Sequence, residues 1–430
     1  MPIVKPFKGV RYNKAKLKNL SAVVAPPYDI IPPEMQNRLY RASPYNIVRL
    51  ELNKIGKLDD EKNNRYTRAG EAFESWQRSG VLVRDAEESI YIYSQEYKYN
   101  KKPIRRIGFI SLMGLETDSS SSKVLPHENT LAAPKADRLK LMKEVRANLS
   151  PIFILYEDNA RRITSILKKF IARNRPVIDV YFDQARHKVW KLSDTAAIDK
   201  IRKIMREKDT FIADGHHRYE TARNYSRMVD YSDATEDVKK AARYLMVYFV
   251  ESDEKMLTIL PAHRAVKDTG TLSGDEAVRR LSRFFTVEKA PSLRAMMKRL
   301  GRLGKVHAFG TYAGEGKYYI LKLKDAGVSD EAIRDKSKDW KRLDVSILHL
   351  FIFQHVLGIS DDDDNIEFLK NPEDAADLVD KGRCKIAFFL NPTKVSEVKK
   401  IARLGERMPR KATYFYPKPV SGLVINKLEG

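Results

Sequence analysis

The 430-residue chain is 43% apolar, enough to bury a substantial core, and its composition is not that of a disordered protein. A formal charge of +23 draws polyanions in general, but Lys and Arg are scattered among Asp and Glu, and no zinc-finger or RNA-recognition spacing accompanies them. Cys384 is the single cysteine, which excludes an intramolecular disulfide and a cysteine-built metal cluster.

From the N-terminus, no apolar stretch of signal-peptide length appears. The most apolar span, Ile347–Ile359, is broken by His349, Gln354 and His355 and is too short for a bilayer, so a cytoplasmic chain without a membrane span is expected. Val23-Val24-Ala25-Pro26-Pro27-Tyr28-Asp29 reads as a proline-stiffened loop displaying Tyr28 and Asp29, and Pro33-Glu34 opens a helix to about Ala42. The alternation in Asn46–Leu52 predicts a strand with Arg49 and Glu51 facing away from its apolar residues. Asn63–Ser79 predicts a helix whose Tyr66, Ala69, Phe73 and Trp76 form a core stripe. Two antiparallel strands, Ile90–Tyr97 and Arg106–Leu112, are expected around a basic turn at Lys101, followed by a mobile loop over Ser119–Ser122.

Pro126–Leu139 is dense in ionisable groups. His127-Glu128 offers a base and an anion ahead of any regular element, and Lys135, Asp137 and Arg138 begin a helix to about Asn148. Strands at Pro151–Tyr156, Val177–Phe182 and His187–Leu192, with helices at Ala160–Ala172 and Thr195–Glu207, lead to Phe211-Ile212-Ala213-Asp214-Gly215-His216-His217-Arg218. This reads as strand, sharp turn and helix. Asp214 is a natural N-cap, Gly215 permits the turn, and the first free N–H groups of the helix favour an anion. Two imidazoles and a guanidinium in that first turn oppose the helix dipole, which a bound phosphate would relieve; an exposed cap without chemistry is the competing reading.

Two strands, Tyr244–Val250 and Leu257–Arg264, follow, the second ending at His263-Arg264. From about Val266 the texture changes to short helices and strands, an apolar helix over Leu343–Leu357, a solvated acidic run at Asp361–Asp364, and a closing Met408–Lys418 stretch. In that stretch Lys411 and Lys418 flank a three-aromatic strand and could reach an anionic ligand. The expected organisation is a mixed α/β protein, with a catalytic α/β region over 1–265 and a C-terminal α/β region over 266–430 that closes the site.

Taken together, Ala25-Pro26-Pro27-Tyr28-Asp29, Asn46–Leu50, His127-Glu128 with Thr130, Lys135 and Asp137-Arg138-Leu139, the Asp214–Thr221 block, Leu260-Pro261 with His263-Arg264, Leu343-Asp344-Val345 and Met408–Lys418 resemble the family named domain of unknown function 1015 almost end to end. More distantly, the Asp214–Arg218 turn resembles the phosphate-binding turn of the ParB and sulfiredoxin superfamily, whose branches include free serine kinases. That likeness implies a ParB/sulfiredoxin-like core with an additional α/β lobe. His216 stands where sulfiredoxins carry cysteine, which speaks against sulfur chemistry.

The resemblance implies a nucleotide-dependent phosphotransferase using ATP or ADP and Mg²⁺ on a small hydroxyl metabolite, free serine being the favoured guess. Gly215, His217 and Arg218 are then expected on phosphate oxygens, with Arg49, His127, Lys135, Arg138, His263, Lys411 and Lys418 completing an electropositive pocket. Asp214 would help hold Mg²⁺, Asp29 or Glu128 would be the base, and His216 a further catalytic candidate. Expected partners are a nucleotide and a small anionic or amino-acid substrate; nucleic acid is less favoured. Two alternatives stand beside this. A metal-dependent hydrolase or phosphatase would draw on His127, Glu128, Asp214, His216, His217 and His263, and a ParB-like nucleotide- and DNA-binding protein would draw on the charge.

Overall fold

The run Ile152–Tyr156, apolar at every position, is the kind of strand that forms only where both faces are covered. In the computed structural model, which describes residues 2–115, 123–333, 335–359 and 364–428, it lies inside a large mixed sheet. The protein is thus mixed α/β. It divides into two compact units, the first comprising Met1–Pro126, Thr130–Thr258 and Pro417–Gly430, the second His127–Asn129 and Ile259–Tyr416.

In the first unit the strand order is Val124–Leu125, Thr210–Asp214, Ile152–Tyr156, Tyr244–Glu251, Lys102–Gly114, Ile90–Tyr99, Ala185–Leu192 and Ile178–Phe182, with Val4–Lys5 added beside Lys102–Gly114. Two pairings are parallel, Thr210–Asp214 with Val124–Leu125 and Tyr244–Glu251 with Ile152–Tyr156; the others are antiparallel. The hairpin Ile90–Tyr99/Lys102–Gly114 turns through Asn100 and Lys101, both left-handed (φ 48° and 65°). Gly108 is there because Tyr244–Glu251 passes so close that a Cβ would sit 2.1 Å from the Phe249 carbonyl. Helices Arg162–Arg173 and Thr195–Met205 bury Ile163, Leu167, Ile198, Ile201 and Met205 in a core shared with the sheet residues Ile154, Phe109 and Trp190. A second cluster, around Phe73, Trp76, Leu39 and Leu141, joins the N-terminal helices to Ala132–Val145.

The second unit is built on an antiparallel sheet ordered Phe285–Ala290, Tyr318–Leu323, Ala308–Tyr312, Ile386–Phe389, His263–Val266 and Ile366–Leu369. The apolar segment Ile347–Leu357 buries Ile347, Leu348, Phe351, Ile352 and Phe353 in its core.

Several expectations require correction. Asn46–Leu52 is not a strand: Asn46 Oδ1 accepts the Val48 N–H at 2.9 Å while its amide donates to Ala22 O and Val24 O, and this side-chain turn leads into a short helix, Val48–Glu51. The local side-chain bonds override the alternation, and Glu51 is buried with Val48 and Leu50. Leu257–Arg264 is two short strands, Thr258–Ile259 and His263–Val266, with Pro261 between them, unable to donate to a ladder. Beyond Asp344–Ser346 the Leu343–Leu357 segment is wound as a π-helix. Of the three-aromatic run only Phe415–Tyr416 is strand. The Ser119–Ser122 loop and Asp361–Asp363 lie outside the described residues. Among the described residues no helix is long and apolar enough to cross a membrane.

Both units carry a neutral core histidine. His187 Nδ1 lies 2.7 Å from the Tyr93 hydroxyl and Nε2 3.2 Å from Phe182 O, so Nε2–H donates and Nδ1 accepts; burial lowers its pKa to about 4. His263 is also pushed to about 4, chiefly by burial and then by the neighbouring Arg264. The unfolded chain takes up these protons near pH 6.5 and the folded chain only near 4, so stability present above pH 6.5 falls as pH drops toward 4. Urea unfolding across that range is expected to show the loss, and His187→Gln to flatten it.

Candidate functional site

The strand Thr210–Asp214 ends in a glycine with φ 93° and ψ 29°, and the helix His216–Asp230 starts at the next residue. Only glycine fits here for two reasons. The backbone is left-handed, and a Cβ would stand 2.8 Å from Ile152 Cγ2 and 2.9 Å from Arg218 Nη2. Tight packing of the helix tip on the neighbouring strand therefore depends on a missing side chain.

Around this tip the charges form one connected chain. Arg218, 8% exposed, turns inward: Nη1 donates to Ser150 Oγ and Pro151 O, both at 2.9 Å, and Nη2 to Asp214 Oδ2 at 3.0 Å. The guanidinium expected on a phosphate is thus engaged with protein acceptors, and it orients Asp214. The other Asp214 oxygen, Oδ1, accepts from Lys418 Nζ, which also reaches Asp29 Oδ2 at 3.1 Å. One ammonium, its side chain 9% exposed, is therefore shared by two carboxylates, and Asp29 is the open member of the group at 40%.

Lys418 is held in place from behind. Arg106, fully buried, donates Nε to Gln95 Oε1 at 3.0 Å and Nη2 to Pro417 O, and Gln95 Nε2 donates to Lys418 O at 3.1 Å. Prolines on both sides of Lys418 fix its backbone. Three residues on, Ser421 N donates to Ala25 O at 2.8 Å and Ala25 N to Ser421 O at 3.3 Å, tying this segment to the Pro26-Pro27-Tyr28-Asp29 loop.

Arg138 supports that loop, its guanidinium 4.0 Å above the Tyr28 ring while Nη1 donates to Glu51 O at 2.7 Å. Burial pushes the Tyr28 phenol up, against the nearby charges of Arg138 and Arg218. Burial also acts to raise Asp137, but Arg138, the Tyr66 hydroxyl and Arg65 outweigh it and hold the carboxyl below its ordinary value. His217 Nε2 accepts the Leu131 N–H at 3.0 Å, which fastens the preceding loop to the helix tip; His216 is buried beside it. Lys135 stands in the first turn of Ala132–Val145, where its carbonyl accepts from Thr221 Oγ1 at 3.4 Å. Arg49, displaced from the expected strand, closes on the end of Pro33–Ala42: Nη2 donates to Tyr40 O at 3.0 Å and the guanidinium covers the Tyr40 ring.

The remaining sequence candidates belong to the second unit. His127 is fully buried, Nε2 3.1 Å from Thr413 Oγ1 and 4.0 Å from Glu128 Oε1. His263 packs on Phe389 and accepts the Leu390 N–H at 3.4 Å, the arrangement of a core imidazole. Lys411 takes a left-handed backbone (φ 54°), and its carbonyl accepts from Arg264 at 3.3 Å. Among the described residues no group of three or more His, Cys, Asp or Glu side chains is placed to hold a metal ion; the donors named for a metal hydrolase divide between the two units.

Sequence reasoning did not single out Glu51, Ser150, Gln95 or Arg106. Glu51 Oε1 accepts from Ser150 Oγ at 2.6 Å, and its Oε2 is buried without a hydrogen-bond partner among the described residues. A 40 Å³ cavity adjoins it, roomy enough for water; Glu51, Arg138, Asn148, Ser150 and Arg218 put polar groups on a lining otherwise made largely by Leu141, Met142, Ala147, Leu149 and Leu245. The one available signal was a buried-strand pattern interrupted by Gln95 and Arg106. Gly215→Ala is expected to cost about 1–3 kcal/mol in urea unfolding, from left-handed strain and the clash with Ile152.

No curated protein matches the chain. Similar solved structures include a free serine kinase mutant in complex with ADP (15% identity, TM-score 0.33, covering 68% of this chain and 84% of that one). A conserved hypothetical protein from Pyrococcus furiosus is 14% identical, with a TM-score of 0.34 and coverage of 71% and 92%. C-terminally truncated SbnI from Staphylococcus aureus is 11% identical, with a TM-score of 0.33 and coverage of 73% and 87%. The family model described as protein of unknown function DUF1015 matches residues 4–346, and the chain belongs to that family.

Proposed function

We propose that the first unit is a nucleotide-dependent phosphotransferase that moves a phosphoryl group from ATP or ADP to the hydroxyl of a small metabolite, free serine being the first acceptor to test. The observation that carries this reading is the convergence of Asp29 and Asp214 on one Lys418 ammonium at the tip of the helix that Gly215 opens. Phosphoryl transfer needs three things from a protein: cationic and N–H groups around the phosphates, a carboxylate for the hydroxyl proton, and fixed geometry.

Each role falls to a named group. Lys418 and the first N–H groups after Gly215 hold phosphate oxygens, with Lys135 adding positive charge from the neighbouring helix. Asp29, the more open carboxylate, takes the proton as the acceptor oxygen bonds to phosphorus and the bond to the leaving nucleotide breaks. Arg218 acts through Asp214: anchored by Ser150 and Pro151, it sets the carboxylate's orientation. Two Asp side chains already drawn to a single cation fit Mg²⁺, which takes one or two carboxylates along with substrate phosphates; when bound it would neutralise phosphate charge. The reading places no step on His127, Glu128, His263 or Lys411.

Thermal shift with ADP and ATP, with and without Mg²⁺, tests it. At a ligand concentration 100 times Kd the folded state gains about 2.7 kcal/mol, so a clear rise in Tm is expected for at least one nucleotide. Lys418→Ala is expected to lose most of that rise. Asp29→Asn is expected to keep nucleotide binding while losing phosphoserine formation. A wild-type protein indifferent to every nucleotide would sink the reading.

A further inference from the structure

The basic turn at Lys101 has no role in the phosphotransferase reading, and in the structure it ends a projecting arm. Ile90–Tyr99 pairs with Ala185–Leu192 only as far as Glu96, and Lys102–Gly114 pairs with Tyr244–Glu251 only from Gly108 onward. Beyond those limits no other described strand joins them, and they pair with each other through Tyr97–Ile104, Lys98–Pro103 and Tyr99–Lys102. At roughly 3.3 Å per residue, this two-stranded ribbon reaches about 10 Å past its neighbours. Its base is fixed. The buried Tyr97 places its hydroxyl 3.0 Å from Thr258 Oγ1, and Glu96 pairs with Arg105 across the ribbon at 3.3 Å and with Lys188 on the next strand at 3.1 Å.

The charge at the end of the arm is not neutralised within the protein. The nearby carboxylates are taken up at the base: Glu96 faces Arg105 and Lys188, and Asp179 on the outermost strand holds Arg186 through two hydrogen bonds of 2.8 Å. Lys98, Lys101 and Lys102 are exposed, and none of them forms an ion pair among the described residues. Directly opposite residues share a face of a ribbon and successive residues alternate, so Lys98 lies on one face, Lys102 on the other and Lys101 at the tip. A flat partner or a single extended chain meets one face of such an arm. A groove walled by phosphates on both sides meets both faces and the tip, and the major groove of B-form DNA, about 12 Å wide, admits a two-stranded ribbon.

We infer that this hairpin arm is a docking element for double-stranded DNA, entering the major groove with Lys98 and Lys102 toward the phosphates of opposite walls and Lys101 leading. Contacts to phosphate carry no base information, so binding is independent of sequence and falls steeply with salt. The arm belongs wholly to the first unit, and the inference stands apart from the phosphotransferase reading.

Fluorescence anisotropy of the full-length chain with a labelled, mixed-sequence DNA duplex, repeated over a range of salt, tests it. Lys98→Gln with Lys101→Gln and Lys102→Gln is expected to weaken binding about tenfold or more and to lower the slope of log K against log salt by about 2 to 3. Arginine at the same positions is expected to restore both. Lys168→Gln with Lys169→Gln and Lys200→Gln removes equal charge from exposed helix positions of the same unit and is expected to cost far less. Unlabelled duplex should displace the probe, and polyglutamate of equal charge should not. The proposal is overturned by a wild type that ignores the duplex, by a glutamine arm variant with wild-type affinity and slope, or by an arginine variant no better than the glutamine one. A helix variant as impaired as the arm variant would overturn it too, as would displacement by polyglutamate as effective as by DNA, which would mark an acidic protein as the partner.

Discussion

The ammonium of Lys418 is the constraint on which the first unit's charged centre depends. Two carboxylates from loops nearly 200 residues apart in sequence, Asp29 and Asp214, meet on it, and without a cation between them they would repel. The link is built from the chain's last segment rather than from the elements that carry the aspartates. Pro417 and Pro419 hold the lysine backbone, Arg106 grips the Pro417 carbonyl and Gln95 the carbonyl of Lys418 itself, and the Ala25–Ser421 bridge brings the Asp29 loop alongside.

Charges of alternating sign extend this centre inward, from Asp29 through Lys418, Asp214 and Arg218 to Ser150 and Glu51. Each buried group has an opposite or hydrogen-bonding neighbour, which is the condition under which ionised side chains survive in an interior. Arg106 completes the picture from below: its charge lies 4.8 Å from the Phe153 ring, and it donates to Gln95 Oε1 and the Pro417 carbonyl, which suits a group whose task is to hold a backbone.

Some of this was legible in the residues. Pro33–Ala42, the aromatic stripe Ala69, Phe73 and Trp76, the hairpin around Lys101 and the strand–glycine–helix turn at Gly215 are all set by local rules: proline at a helix start, apolar periodicity, and a residue that tolerates positive φ. Where a side chain had a distant or capping partner, the local rules misled. Asn46 turned an alternating pattern into a short helix, and Pro261 cut an expected strand in two.

The sequence by itself determined that this is a mixed α/β protein and that a tight glycine turn ends a buried strand, and it named Asp214, Asp29 and Lys418 as candidates for polar chemistry. Helical period, strand period and glycine's freedom act over a few residues and can be read directly. Only the tertiary structure decided that Asp29 and Asp214 share one ammonium and that Glu51 and Arg106 stand behind them. Those facts depend on which distant segments pack together, and a buried charge acquires its meaning from neighbours that no local pattern names.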